Sequence, residues 1–221
     1  MAGSLQLSTG RASRIITSDG AMPWLLVAAL LGLLALGAAV LPAAALRWLD
    51  WQPGLAWPQW WRAVSAVAVH YSAQHLLVNL LGTLVVAALG RVAALPLRCS
   101  IAWLLAWPLT QIGLLLAPEL RHFGGLSGVL HAGVVIAAVH LAWAARGTPR
   151  WIGFALLIGV ALKILIEQPW GAPLRHPAGW EIALAPLAHA TGAAAGLGSA
   201  LLAEAWATRR GGTHRWPENN N

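Results

Sequence analysis

Cysteine occurs once, at Cys99, so no internal disulfide can form. A lone thiol becomes a nucleophile or metal ligand only in an activating environment; none is legible around Cys99, which reads as structural. Charge is also scarce: Asp, Glu, Lys and Arg make up 10% of the 221 residues, against 58% apolar. A soluble domain is about a quarter charged, so this shortage excludes that class and makes the bilayer the expected solvent. Acidic residues number 7 and basic ones 14. The basic side chains are scattered between apolar runs rather than gathered in a stripe, which argues against a nucleic-acid partner. No His-Glu-x-x-His element occurs, and no carboxylate stands beside the histidines that would pair, His70 with His75 or His131 with His189. No metal and no cofactor are therefore expected.

Tyrosine occurs once and phenylalanine twice, but tryptophan 14 times. Trp48, Trp51, Trp57, Trp60, Trp61, Trp151, Trp170, Trp180 and Trp216 lie at or beyond the ends of apolar runs, as interfacial anchors do. Crossing a hydrocarbon core as helix takes roughly 20 apolar residues. Six runs of that order emerge: Met22 to Leu46, Ala73 to Leu89, Ile101 to Ala117, Leu126 to Ala145, Trp151 to Ile166 and Ile182 to Trp206. The pattern predicts an all-α membrane protein, a six-transmembrane-helix bundle over 22–208, between a tail at 1–21 and another at 209–221. The ends before Arg11 and after Arg209 are polar and expected to be disordered, with little to bury. The first run exceeds the apolar core of a signal peptide, about 7 to 15 residues, and is expected to stay in the mature chain.

With six spans, one side receives Arg11, Arg14, Arg91, Arg98, Arg146, Arg150, Arg209, Arg210 and Arg215; the other receives Arg47, Arg62, Arg121 and Arg175. This asymmetry predicts that both termini are cytoplasmic. Lys163 falls within the fifth run, where it can snorkel or meet Glu167 one turn later.

Polar groups inside spans are costly and mark function by default. Four stand out near the non-cytoplasmic ends: His75 and Asn79 in the second run, Ser127 opening the fourth, and His189 in the sixth. Ser127 lies in His122-Phe-Gly-Gly-Leu-Ser-Gly-Val-Leu-His131, where Gly124, Gly125 and Gly128 permit a tight turn and close backbone approach at a helix start. The free amides of that first turn can stabilise an oxyanion, as an acyl-transfer nucleophile requires. Serine needs an adjacent base, and histidine is the side chain that titrates near neutrality. Gly192 and Gly196 follow His189 at three and seven residues, forming a small-residue groove on its helical face. If the fourth helix packs there, His189 reaches Ser127. His75 and Asn79, spaced i, i+4, share a face and can donate to an oxyanion or a bound peptide carbonyl.

These residues resemble the rhomboid family of intramembrane serine proteases, over roughly Trp60 to Leu201. The pieces stand in the family's order: Trp61-Arg62, His70, His75-Leu-Leu-Val-Asn79, Gly125-Leu-Ser127-Gly128, and Ala188-His189-Ala-Thr-Gly192 with Gly196. The resemblance implies a six-helix rhomboid-like bundle, a catalytic Ser127/His189 dyad without a third carboxylate, and an oxyanion site from the Ser127 amide with His75, Asn79 and Gly125. It also implies a water-containing cavity open to the outside. The compact chain and its Gly-Leu-Ser-Gly-Val-Leu-His131 segment look like the rhombosortase branch. That likeness implies a bacterial inner-membrane enzyme opening to the periplasm, whose partners are transmembrane protein substrates carrying Gly-Gly-containing C-terminal anchors. One departure is His131, where many rhomboids carry a tyrosine stacked on the base. One turn along from Ser127, His131 is expected to support His189 rather than replace it. His70 and Arg62 are expected to shape the extramembrane loop.

Two other classes remain. A non-catalytic rhomboid-like client-binding protein would usually lack the serine or the histidine. A transporter or channel would show a charged route or internal repeats.

Overall fold

The computed structural model describes residues 18–209; Arg11, Arg14, Arg210, Arg215, Trp216 and the expected disorder of both tails lie outside the described residues. Among the described residues the chain is all-helical, with eight α-helices: α1 (Met22–Ala38), α2 (Ala43–Leu49), α3 (Arg62–Ser65), α4 (Ala73–Val92), α5 (Leu97–Ile112), α6 (Ser127–Ala144), α7 (Thr148–Glu167) and α8 (Pro186–Arg209). A 3-10 turn, Gly113–Leu116, extends α5. The stretches Ala73–Val92, Leu97–Leu116, Ser127–Ala144 and Thr148–Glu167 are long and apolar enough to cross a membrane; α1 is apolar but shorter, at 17 residues.

The first apolar run does not form one continuous helix. Pro42 has no amide to donate and would clash with the carbonyl four residues back, so α1 stops at Ala38. Pro42 instead caps α2 from an extended conformation. At α4 the Ser72 hydroxyl accepts from the His75 amide at 3.1 Å, satisfying one orphan donor of the first turn.

α6 is the centre of the bundle, with 72% of its span buried; α7 is the periphery, with 6%. A helix apolar all round belongs inside, and the exposed Trp151, Ile158, Leu162 and Ile166 of α7 suit a lipid-facing surface. Against one side of α6 lies α8. A β-carbon at Gly192 would sit 2.6 Å from the Gly128 carbonyl carbon and one at Gly196 2.6 Å from the Ala132 oxygen. The two backbones therefore touch along the expected small-residue groove. On the other side, Trp24 stacks on Trp103 at 4.3 Å. Their indole N–H groups donate to the Val86 and Val129 carbonyls at 2.9 and 2.8 Å, joining α1, α4, α5 and α6.

Of the expected interfacial tryptophans, Trp48, Trp57, Trp60, Trp61, Trp151 and Trp170 are exposed, but Trp51 is buried. Its backbone pairs with Phe123, Trp51 N to Phe123 O at 2.7 Å and Phe123 N to Trp51 O at 2.9 Å, turning the ring into the packed loop layer. At the other end of the bundle Glu204 accepts from Arg98 at 3.1 and 3.2 Å and lies 2.8 Å from His140 Nδ1.

Candidate active site

α4, α6 and α8 all begin at one end of the bundle, and α7 finishes there. A cavity at this end is lined by Tyr71, His75, His122, Gly124, Ser127, Ala185 and His189, among others. The first residue of α6 and a residue in the first turn of α8 thus share one wall, because the Gly128–Gly192 contact holds these helix starts together.

The chain enters α6 through Gly125, at φ +136°, a conformation that favours glycine. A β-carbon there would lie 2.7 Å from His75 Cε1, so the imidazole packs directly on the turn. The Gly125 amide donates to the Ala66 carbonyl at 3.0 Å, fastening the turn to the preceding loop. His75 reaches the cavity, but Asn79 is buried beneath it and is absent from the lining. One Asn79 amide proton is donated to the His75 carbonyl at 3.1 Å, and a primary amide has a second.

His131 lies one turn below Ser127 and stacks on His189, with centroids 4.3 Å apart and planes 19° from parallel. Its Nδ1 is 2.6 Å from the Ser127 carbonyl oxygen, which can only accept, so that nitrogen carries the proton. The His131 ring is therefore locked on its own helix and offers a flat face to His189.

The other edge of His189 corrects an expectation. Its Nδ1 is 2.7 Å from Oε2 of Glu167, the last residue of α7. The Lys163–Glu167 ion pair that their spacing leads one to expect is present through Oε1; the second oxygen faces the histidine, a contact that spacing does not show. One signal was available. A carboxylate at a helix C-terminus opposes the macrodipole, a cost that invites a compensating partner.

A polar hub beside the cavity was also missed. Asp50, 1% exposed, accepts from Arg62 Nη1 at 3.0 Å, Gln52 Nε2 at 2.8 Å and the Tyr71 hydroxyl at 3.1 Å, and lies 2.7 Å from His122 Nδ1. Tyr71 and His122 are cavity residues, so Asp50 ties the wall to Arg62, which also donates to the Arg47 and Asp50 carbonyls at 2.8 and 2.7 Å. Burial, reinforced by the Asp50 carboxylate, pushes the Tyr71 phenol above its usual range. The His70 ring lies 4.8 Å from that of His75, tilted 56° to it, and burial lowers its pKa from the ordinary value, favouring a neutral ring.

Among the described residues, Cys99, His140 and Glu204 bring potential metal-ligand atoms within 4.8 Å of one another. The Arg98 guanidinium already occupies both Glu204 oxygens, so the cluster reads as an ion-pair network.

A family model described as the Rhomboid domain matches residues 58–205. No curated protein sequence matches the chain. The matched stretch contains His75, Ser127, His131, Glu167 and His189, and spans well over half of the sequence. With four apolar helices long enough to cross a bilayer, this multi-pass membrane protein belongs to the rhomboid family, whose members are generally intramembrane serine proteases.

Proposed function

We propose that the chain is an intramembrane serine endopeptidase with Ser127 as nucleophile and His189 as general base. The observation that carries this reading is the shared cavity: Ser127 and His189 line one wall-to-wall space at the end where α6 and α8 meet backbone to backbone. Ser127 Oγ attacks the scissile carbonyl carbon while its proton passes to His189 Nε2. The oxyanion is stabilised by the Ser127 amide at the start of α6, with His75 and the second Asn79 amide proton beside Gly125. Collapse breaks the C–N bond, the leaving amine takes the proton from His189, and water then clears the acyl-enzyme by the same route.

In this reading α1 and α8 complete six spans, both termini are cytoplasmic, and the cavity opens to the periplasmic side of a bacterial inner membrane. The substrates are transmembrane proteins with Gly-Gly-containing C-terminal anchors, as the rhombosortase-like Gly-Leu-Ser-Gly-Val-Leu-His131 segment suggests. Each glycine weakens a substrate helix by roughly 1 kcal/mol relative to alanine, so such an anchor unwinds readily at its top. The test is co-expression with a reporter carrying such an anchor. Cleavage is expected with the wild type and not with Ser127→Ala; equal cleavage by both would overturn the proposal.

A further inference from the structure

His189 is held on two sides and shares a cavity with Ser127. Its ring face lies on His131 at 4.3 Å, and its Nδ1 edge meets Glu167 Oε2 at 2.7 Å. It also lines two cavities. One contains Ser127; the other, of about 300 Å³, is lined by Glu167, Arg175, His176, Pro177, Leu184 and Pro186 as well as His189. The nucleophile and the carboxylate thus line different cavities that share the imidazole.

An ionised carboxylate can only accept, so a 2.7 Å contact with it places a hydrogen on Nδ1. A neutral imidazole has one N–H, and Nε2 is then left with its lone pair, the form a general base requires. Lys163 Nζ is also 3.3 Å from Nδ1, and an ammonium donating there would demand the opposite tautomer. The shorter Glu167 contact decides against that. Lys163 pairs with Glu167 Oε1 one turn along α7, which keeps the carboxylate charged and turns Oε2 toward the histidine. α7 is itself fixed on α6, since a β-carbon at Gly153 would lie 2.7 Å from the Ala138 carbonyl oxygen.

We propose that Glu167 is a positioning residue for His189, holding Nδ1–H so that Nε2 faces the Ser127 side and stabilising the imidazolium formed when Ser127 gives up its proton. This rests on the protease reading and extends the expected dyad by a carboxylate from α7. The serine proton moves to Nε2 and later to the leaving amine; Glu167 stays ionised throughout and takes no proton. With a side chain 25% exposed, Glu167 is partly screened and acts more weakly than a sealed carboxylate.

The test uses the full-length protein in lipid nanodiscs, with a fluorophosphonate as probe and its inactivation rate separated into kinact and KI. Glu167→Ala is expected to lower kinact about 10- to 100-fold, no more than the lower end of the roughly 100- to 10,000-fold that general-base catalysis supplies, while KI stays within about twofold. Glu167→Gln keeps an acceptor without the charge and falls between. As a readout independent of activity, ¹⁵N-histidine NMR on the Ser127→Ala background should show His189 protonated at Nδ1. That signature should be lost in the Ser127→Ala/Glu167→Ala protein. A wild type that reacts with the probe while Glu167→Ala matches its kinact would overturn the positioning role alone, as would a His189 proton found on Nε2. An unreactive wild type would sink the protease reading, and the positioning role with it.

Discussion

Two glycines six residues apart on α8 should respond in opposite ways to the same added methyl group. At Gly192 a β-carbon would lie 2.6 Å from the Gly128 carbonyl carbon and 3.0 Å from its Cα, whereas ordinary contact begins at 3.4 Å. The obstacle is backbone, which cannot rotate away, so α8 must withdraw from α6 by roughly 1 Å. Overpacking of this kind costs about 1–3 kcal/mol. A displacement of about 1 Å between reacting groups costs on the order of 100-fold in rate. At Gly198 nothing lies within 4 Å of the added carbon, and a helix-interior Gly→Ala change gains up to about 1 kcal/mol. Gly192→Ala is therefore expected to lose about 1–3 kcal/mol in thermal unfolding and about 100-fold in fluorophosphonate labelling rate. Gly198→Ala should label like wild type and unfold no earlier. If Gly192→Ala matches Gly198→Ala in both assays, the backbone contact does not set the distance between Ser127 and His189.

Three further outcomes follow from the site's surroundings. Asp50→Ala leaves the buried Arg62 guanidinium without its carboxylate and should destabilise by about 3 kcal/mol, read as a lower midpoint of thermal unfolding; a loss below about 1 kcal/mol would contradict the hub. Tyr71 is the single tyrosine, so its ionisation can be followed by phenolate absorbance in the folded protein. With its pKa raised, no phenolate should appear near pH 10, the usual value for tyrosine. Because the folded chain then holds the proton longer than the unfolded one, stability should fall as pH rises above about 10; titration at the ordinary value would refute the placement of the hydroxyl against the Asp50 carboxylate. His131→Ala should lower labelling about tenfold by removing the stack, whereas His131→Phe keeps a flat face and most of the rate. Equal, undiminished rates in both would show that the stack carries no weight.

Much of this was legible wherever a local pattern had a local consequence. The apolar runs forecast helices, though Pro42 ended the first of them early and divided it. Gly192 and Gly196 announced a face that another helix could approach, and α6 lies on it. His131, four residues after Ser127, shares its helical face by periodicity, and its stacking on His189, which only the family resemblance implied, is present. What the sequence hid were partners distant along the chain. Glu167 meets His189 from 22 residues away, and Asp50 meets His122 from 72. No periodicity carries such contacts; they arise only once α7 lies beside α8 and the Trp51 loop pairs with Phe123. Trp51 itself followed the chemistry of an interfacial residue in composition and the packing of a core residue in space, because two backbone hydrogen bonds turned it inward.

The central claim, that Ser127 is a nucleophile activated by His189, is tested most directly by labelling the purified full-length protein with a fluorophosphonate probe beside Ser127→Ala and His189→Ala. Labelling of the wild type, abolished in both variants, is the predicted result. A wild type that stays unlabelled beside a reactive control hydrolase, or a Ser127→Ala protein that labels as strongly as wild type, would contradict it.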